Sequence, residues 1–152
     1  MRIAPRPLPG LEDVSQMDDA HLQLMVLPDV TARDLSTVRR LIGRVGTEVG
    51  LEADRVERLI LAANEIVANA IRYGRGTATV TVRPQVTDVT VEVTDEGPGL
   101  PEDMGTQLPA PGALHGRGLW LARQLCDEMD VQSGPGGTRV RLVMTVAPRQ
   151  VA

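Results

Sequence analysis

Glu65 and Asn69 are spaced so that a carboxylate and a carboxamide lie one turn apart on a helix. Apolar residues recur at intervals of three and four from Ala53 to Tyr73, which predicts a helix that ends at Gly74. Glu65, Asn69 and Tyr73 then form a stripe beside its buried face. Such a pair can hold a hydrated magnesium ion and orient a nucleophile. Taken alone, the pair also fits an ordinary solvated stripe, since polar pairs at this spacing are common on helix surfaces.

Asp95 ends a predicted strand and is the next candidate. Valines alternate with polar residues over positions 89–93, and Asp95 continues their parity, so its carboxylate should point toward the core. A carboxylate placed there needs a partner, and the exocyclic amino group of adenine is a fitting donor. Gly97 and Gly99 let the backbone pass close to a ligand and can serve as hinges. The segment alone also fits a simple strand-ending turn.

Two further segments carry groups that could meet a ligand. Gly116, Arg117 and Gly118 precede or open a predicted helix, where free amides, the positive end of the helix dipole and a guanidinium favour an anion. Thr138 opens the last predicted strand and shares the parity of its buried positions. Its hydroxyl could contact a ligand or satisfy a backbone carbonyl.

The composition excludes several kinds of chemistry and of partner. All 16 basic residues are arginine, so no lysine is available for a P-loop or a Schiff base. Cys126 is the single cysteine and the two histidines lie far apart, which excludes an internal disulfide and argues against a zinc cluster. The net charge of −4 argues against nucleic acid, and no apolar run reaches the roughly 18 to 20 residues of a membrane span. We therefore expect a cytoplasmic protein that binds neither nucleic acid nor membrane.

Three helices and five strands are predicted to position these residues. In chain order they are a strand from His21 to Leu27 stopped by Pro28, a helix from Thr31 to Gly50, the helix from Ala53 to Tyr73, strands near 78–82 and 89–94, a helix from about Leu119 to Met129, and strands near 130–132 and 138–145. The two alternating valine segments should pair antiparallel. The order predicts one sheet with helices on one face.

The remaining segments set the domain boundaries. Residues 1–20 are proline-rich and then acidic, which predicts a flexible extension; residues 21–147 form one domain, and residues 148–152 are a tail. The stretch from Gly97 to Gly118 holds six glycines and four prolines, and loops of this length are commonly functional lids. Cys126 is expected to pack in the core, and His115 to be an ordinary loop histidine.

The order of these motifs resembles a known ATP-binding fold. E-x-x-x-N on a helix, D-x-G-x-G after a strand, a glycine-rich loop, G-x-G opening a helix and G-T opening a strand are similar to the Bergerat (GHKL) superfamily, which includes gyrase, histidine kinases and MutL. The resemblance covers about Leu22 to Val146. It implies an α+β two-layer sandwich with a mixed, mostly antiparallel sheet, and it implies ATP and Mg²⁺ as cofactors.

Within that superfamily the sequence resembles the anti-sigma regulatory serine/threonine kinases. The segments that carry this resemblance are NEIVANAIRYGRGTATV, VTDEGPGLP and GRGLWLARQLCDEMDVQSGPGGTRVRL. They look most like the switch kinase of the stressosome, which phosphorylates a scaffold of STAS domains and then activates a phosphatase. The anti-sigma kinases proper more often have histidine where Tyr73 stands. The resemblance also suggests a sigma factor or a PP2C-type phosphatase as partner and allows a homodimer.

The resemblance implies a role for each candidate residue. Glu65 would be the general base toward a serine or threonine hydroxyl, Asn69 the magnesium ligand, Asp95 the adenine anchor, Gly97 and Gly99 the hinge, Gly116, Arg117 and Gly118 the phosphate contacts, and Thr138 a neighbour of the adenine. The alternative is a nucleotide-gated module that binds a sigma factor or another regulator with little or no phosphoryl transfer. Only the kinase needs Glu65 as a base.

Overall fold

A computed structural model describes residues 23–101 and 117–146. In chain order its elements are β1 (Met25–Val30), a short 3-10 turn (Ala32–Asp34), α1 (Leu35–Val49), α2 (Ala53–Tyr73), β2 (Ala78–Pro84), β3 (Asp88–Asp95), α3 (Arg117–Leu125), β4 (Glu128–Gly134) and β5 (Gly137–Thr145). The predicted extension, the lid between residues 102 and 116 and the tail lie outside the described residues, so those expectations stay predictions.

The five strands form one sheet in the order β1-β2-β3-β5-β4. Each pairing between these strands is antiparallel, so the described sheet contains no parallel pair. Two of these pairings are hairpins, β2–β3 and β4–β5, and β5 lies between β3 and β4 in the sheet. In this register Asp95 at the end of β3 is the direct neighbour of Thr138 on β5.

Helices and sheet meet in one apolar layer. The inward positions of β2, β3 and β5 alternate with exposed or half-buried ones, as the period-two pattern predicts. α1 and α2 bury one face each, with residues at spacings of three and four. The two-layer α+β sandwich is therefore confirmed. The largest fully buried side chains include Ile42, Leu59, Ile66, Leu119, Leu142 and Met144.

The helical segment begins after Thr31, first as the 3-10 turn and then from Leu35 as α1, whereas the sequence predicted one helix from Thr31 to Gly50. The Asp34 carboxylate accepts hydrogen bonds from the Thr31 backbone N–H at 2.9 Å and from the Thr31 hydroxyl at 3.2 Å. The helix ends at Gly50, and α2 packs against it closely because Gly46 has no side chain: a β-carbon there would lie 3.2 Å from both Leu51 and Val56. The close packing against α1 thus helps to fix the position of α2 on the sheet.

Two predicted boundaries differ from the structure. β1 does not stop at Pro28 but continues to Val30, because β1 is an edge strand whose outer side needs no donor and whose register shifts between Leu27 and Val30. α3 ends at Leu125, and Met129 belongs to β4. The Arg58 guanidinium binds the carbonyl oxygens at the helix end, and Met129 packs against the core from a strand.

Candidate functional site

A cleft lies between the second half of α2, the start of α3 and the inner face of β3 and β5. Its lining side chains are Ile66, Asn69, Ala70, Val93, Asp95, Leu100, Leu119, Thr138 and Val140. The structure thus brings together three of the predicted site residues, Asn69, Asp95 and Thr138. The cleft encloses about 10 Å³, room for about one water molecule. Some of these side chains must therefore move before a purine can enter between them.

Asp95 occupies the position that its parity predicts, on the same side of β3 as the buried valines. Its Oδ1 accepts a hydrogen bond from the Gly97 N–H at 2.9 Å. This bond fixes the carboxyl plane through one oxygen. The other oxygen can accept a hydrogen bond from a ligand, which is the property that an adenine anchor requires.

Glycines from distant segments surround Asp95. A β-carbon at Gly74, which follows the last residue of α2, would lie 2.7 Å from the Asp95 Cβ. A β-carbon at Gly97 would collide with the Tyr73 carbonyl oxygen, and one at Gly137 with the Asp95 carbonyl oxygen. Gly137 also has a φ of 136°, which disfavours any other residue. The end of α2, the end of β3 and the start of β5 are therefore in backbone contact around the carboxylate.

Gly99 marks the start of the predicted lid. It has a φ of 101°, and a β-carbon on it would lie 2.6 Å from the Gly134 carbonyl oxygen. Gly97 is buried and Gly99 half-buried. Gly99 thus lies against the end of β4, whereas Gly97 lies against the end of α2. Their predicted role as a hinge remains a prediction because the residues beyond Pro101 are outside the described range.

A row of three polar side chains crosses the sheet at the cleft. Asp95, Thr138 and Ser133 are direct neighbours on β3, β5 and β4, and all lie on the inner face. The Ser133 and Thr138 hydroxyl oxygens are 2.8 Å apart. Ser133 Oγ also accepts a hydrogen bond from the Leu100 N–H at 2.8 Å. Thr138 is 7% exposed, so its hydroxyl is largely shielded from solvent.

Asn69 presents an unsatisfied polar atom at the cleft. Its Nδ2 is buried and has no hydrogen-bond partner in the part of the chain that the structure describes. An unpaired buried polar atom is costly, and rotation about χ2 exchanges nitrogen for oxygen at that position. The carboxamide therefore fits a residue that meets a ligand, including a magnesium ion bound mainly by phosphate and water oxygens.

Glu65 lies one turn before Asn69 and faces the first turn of α3. A β-carbon on Gly118 would lie only 2.8 Å from Glu65 Oε1, so the absence of a side chain there lets α3 approach the carboxylate. Glu65 is half-buried. Arg117, the first residue of α3, is exposed, and Gly116 lies outside the described residues. The structure thus places Glu65 beside the helix end that was predicted to bind phosphates.

The opposite end of α3 is held by what we call the arginine clamp, formed by Arg55, Arg58, Asp127 and Thr145. Asp127 accepts hydrogen bonds from Arg55 at 2.5 Å, from the Thr145 N–H at 2.7 Å and from the Thr145 hydroxyl at 2.9 Å. Burial alone would raise the pKa of the Asp127 carboxyl, but these hydrogen bonds outweigh it and hold the pKa below its ordinary value. The clamp therefore contains a carboxylate that is paired at neutral pH.

Cys126 adjoins the clamp and is unsuited to nucleophilic chemistry. Burial, with a further contribution from the Asp127 charge, raises the pKa of its thiol to about 12. It packs against the core, as expected. Among residues 23–101 and 117–146 no group of three acidic, histidine or cysteine side chains could hold a metal ion.

Sequence reasoning missed the role of Gly74, Gly137 and Ser133. Gly74 was interpreted only as a helix stop, whereas it also makes room for Asp95. Gly137 is needed for its φ and its contact with the end of β3. The parity of Ser133 on β4 relative to Val131 and Met129 was the one available signal that its side chain faces inward.

Comparison with known proteins shows the family to which the chain belongs. Residues 29–144 match the family described as the histidine kinase-like ATPase domain. The chain is 32% identical over 124 residues to the sensor protein CseC of Streptomyces coelicolor, covering 76% of this chain and 23% of CseC. It is 28% identical over 124 residues to the sensory histidine kinase/phosphatase NtrB of Rhodobacter capsulatus, covering 66% of this chain and 34% of NtrB. It thus spans about a third or less of either relative.

A solved structure shares the fold. The RsbU and RsbW domains of Rv1364c from Mycobacterium tuberculosis superpose with a TM-score of 0.61 and 22% identity, covering 86% of this chain and 34% of that one. At this identity the similarity shows the fold alone. Separately, no helix in the described part of the chain has the length and apolar character needed to cross a bilayer.

Proposed function

Because the chain belongs to the histidine kinase-like ATPase domain family, which implies ATP binding, normally with Mg²⁺, we propose that it is a serine/threonine protein kinase of a bacterial partner-switching pathway. Its substrate would be a STAS-domain protein. The relatives found by sequence are a sensor protein and a sensory histidine kinase/phosphatase, so the choice of a hydroxyl substrate depends on the site itself.

The position of the Glu65 carboxylate carries this proposal. It lies next to Gly118 at the start of α3, one turn from Asn69. A neutral histidine side chain can attack phosphorus with a free nitrogen lone pair, whereas a serine or threonine hydroxyl must lose its proton. A carboxylate beside the phosphate end of the cleft supplies the proton acceptor that the hydroxyl needs during its attack.

The other residues have roles that follow from their places. Asp95 would accept a hydrogen bond from the adenine amino group, and the amides at the start of α3 with Arg117 would face the phosphates. Asn69 would bind Mg²⁺, which supplies charge neutralisation when it is present. The substrate hydroxyl gives its proton to Glu65 as its oxygen takes the terminal phosphoryl group of ATP, and ADP leaves. Positioning and charge neutralisation are the main demands of this reaction.

Support for the choice of partner comes from the sequence resemblance to the anti-sigma and stressosome switch kinases. The structural neighbour with an RsbW domain is consistent with it in fold. A sigma factor and a PP2C-type phosphatase belong to the same proposal as further binding partners, as does a homodimer.

The test is a transfer assay with labelled Mg-ATP and the STAS-domain proteins of the same genome. We expect Glu65→Gln to retain ATP and partner binding by calorimetry, while phosphorylation of a serine or threonine falls by about 10²- to 10⁴-fold, as is typical for the loss of a general base. Asn69→Ala should weaken Mg²⁺-dependent ATP binding and transfer together. Glu57→Gln, which changes an exposed carboxylate on the same helix, is the control.

One outcome would replace the kinase with the alternative function. If the wild-type protein binds its partner in an ATP-dependent manner, never phosphorylates it, and is indistinguishable from Glu65→Gln, the chain is a nucleotide-gated binding module. Transfer to histidine in place of serine or threonine would also contradict the proposed substrate class.

A further inference from the structure

Ser133 forms two hydrogen bonds whose directions constrain each other. The Leu100 N–H can only donate, so Ser133 Oγ is the acceptor at 2.8 Å. The same oxygen lies 2.8 Å from Thr138 Oγ1, and here either hydroxyl could be the donor. Ser133 therefore has one lone pair in use, one proton to give and a second lone pair that could accept from Thr138.

The charge of Asp95 selects between the two arrangements. Asp95 is the direct neighbour of Thr138 on β3, and both side chains line the cleft. A negative charge on Asp95 would favour the orientation in which the Thr138 proton points toward the cleft. With the Thr138 proton turned that way, Thr138 Oγ1 accepts the proton of Ser133. The hydrogen bonds then run from Leu100 N–H to Ser133, and from the Ser133 hydroxyl to Thr138.

This order determines what the cleft offers to a base. Asp95 presents an acceptor through its second oxygen, because Oδ1 is already bonded to the Gly97 N–H. Thr138 presents a donor beside it. Adenine carries an amino donor next to a ring-nitrogen acceptor, whereas guanine carries a carbonyl acceptor next to an N–H donor. The pair Asp95–Thr138 thus matches adenine and mismatches guanine at both positions, provided that Thr138 is held as a donor.

We propose that Ser133 is a specificity-determining positioning residue, which selects adenine over guanine by holding the Thr138 hydroxyl as a donor toward the cleft. Ser133 does not touch the base in this role; it acts through Thr138. The inference rests on the nucleotide site of the proposed function but not on phosphoryl transfer. A serine that merely satisfied the Leu100 amide would leave base selection unchanged.

The test measures the affinities of Mg-ADP and Mg-GDP by calorimetry, so kinase activity is not needed. For Ser133→Ala we expect ADP to bind about 3- to 10-fold more weakly and the ADP-to-GDP affinity ratio to fall about tenfold, since the freed Thr138 hydroxyl can turn its lone pairs to guanine. Ser133→Thr keeps the hydroxyl and should have the wild-type ratio of ADP to GDP affinity. Thr90→Ala, which removes a hydroxyl from the opposite face of β3, is the control.

A double variant tests whether Ser133 acts through Thr138. Thr138→Val should lower the ratio on its own, and adding Ser133→Ala should then change it less than twofold. The Leu100 amide should exchange faster in Ser133→Ala, which verifies that the hydrogen bond has been removed. A folded Ser133→Ala protein with the wild-type ratio would overturn the inference alone. A wild-type protein that binds neither nucleotide would overturn the proposed function and this inference with it.

Discussion

The two ends of α3 are held in opposite ways. At the C-terminal end, the Arg58 guanidinium donates to the carbonyl oxygens of Leu125 and Gln124, at 3.2 Å and 3.4 Å. The arginine clamp then ties the following residues to β5. At the N-terminal end, Gly118 has no side chain, and a β-carbon there would lie too close to the Glu65 carboxylate.

The difference extends to the polar groups around each end. Asp127 in the clamp has three donors, whereas Asn69 at the cleft keeps a buried nitrogen without a partner among the described residues. Polar groups that are fully hydrogen-bonded stabilise the fold. A buried polar group without a partner destabilises it until a ligand supplies the missing hydrogen bond. The clamp thus fixes one end of the helix, while the other end keeps an unpaired polar group at the cleft. Substitutions that change only polar groups at the two ends should therefore separate stability from binding.

The largest effect is expected where the cleft end is most crowded. Gly137→Ala places a β-carbon against the Asp95 carbonyl oxygen at a φ of 136°, so both the backbone and the contact are strained. We expect the free energy of unfolding to fall by about 3 kcal/mol, and nucleotide affinity to fall because the end of β3 moves. Urea denaturation followed by the fluorescence of Trp120 measures the first effect, and calorimetry the second.

The neighbouring glycine is the matched control. A β-carbon at Gly136 meets no atom within 4 Å among the described residues, and its φ lies outside the left-handed region. Gly136→Ala should therefore be near neutral. If the two alanine variants were equally stable, the backbone contact at Asp95 would not be what requires glycine.

Much of this arrangement follows from local sequence pattern. The spacing in α2 places Glu65 and Asn69 on one stripe, and the alternation in β3 points Asp95 inward; both depend only on residues close in the chain. The two predictions that were wrong are that β1 stops at Pro28 and that α3 continues to Met129. The true boundaries depend on whether a strand is at the sheet edge and on a distant arginine. A local pattern contains no information about either.

The missed residues have the same explanation. Gly74, Gly137 and Ser133 matter because segments far apart in sequence meet at Asp95 and Thr138. The position of Gly74 directly after a helix is explained locally, because glycine commonly ends helices. Its contact with a strand more than twenty positions away can be seen only in the folded structure. Polar residues that line the cleft could thus be predicted from types and spacing, whereas residues that position them could not.

A smaller effect is expected from Asp95→Asn, which tests the cleft end without crowding it. The substitution keeps the shape but can turn a donor toward the adenine amino group, which should cost about 1 to 3 kcal/mol, or roughly 5- to 150-fold in ATP affinity. Stability should change little. Calorimetry with ATP and GTP measures the effect, and Glu96→Gln, at the exposed neighbouring carboxylate, is the control. Undiminished ATP affinity, with GTP bound equally well, would remove Asp95 from the role of adenine anchor.

The smallest effect should come from the arginine clamp, where a substitution should lower stability and leave nucleotide affinity nearly unchanged. Asp127→Asn removes the charge that Arg55 and the two Thr145 donors share, and because the side chain is 35% exposed, solvent screening limits the loss to about 1 kcal/mol of unfolding free energy at pH 7. ADP affinity should stay within about twofold. Asp130→Asn, an exposed carboxylate on the outer sheet face, should change neither quantity.

The pH dependence of the Asp127 variant decides whether charge is the cause. The folded protein holds the pKa of Asp127 below its ordinary value, so its contribution to stability is present above the unfolded pKa of about 3.9 and is lost as pH falls through the lower folded pKa. The wild-type and Asp127→Asn unfolding free energies should therefore differ at pH 7 and converge once the pH has fallen below the lowered pKa of the folded state. A difference that stays constant across this range would mean that Asp127 stabilises the clamp by shape alone. A large loss of ADP affinity would show that the two ends of α3 are not independent.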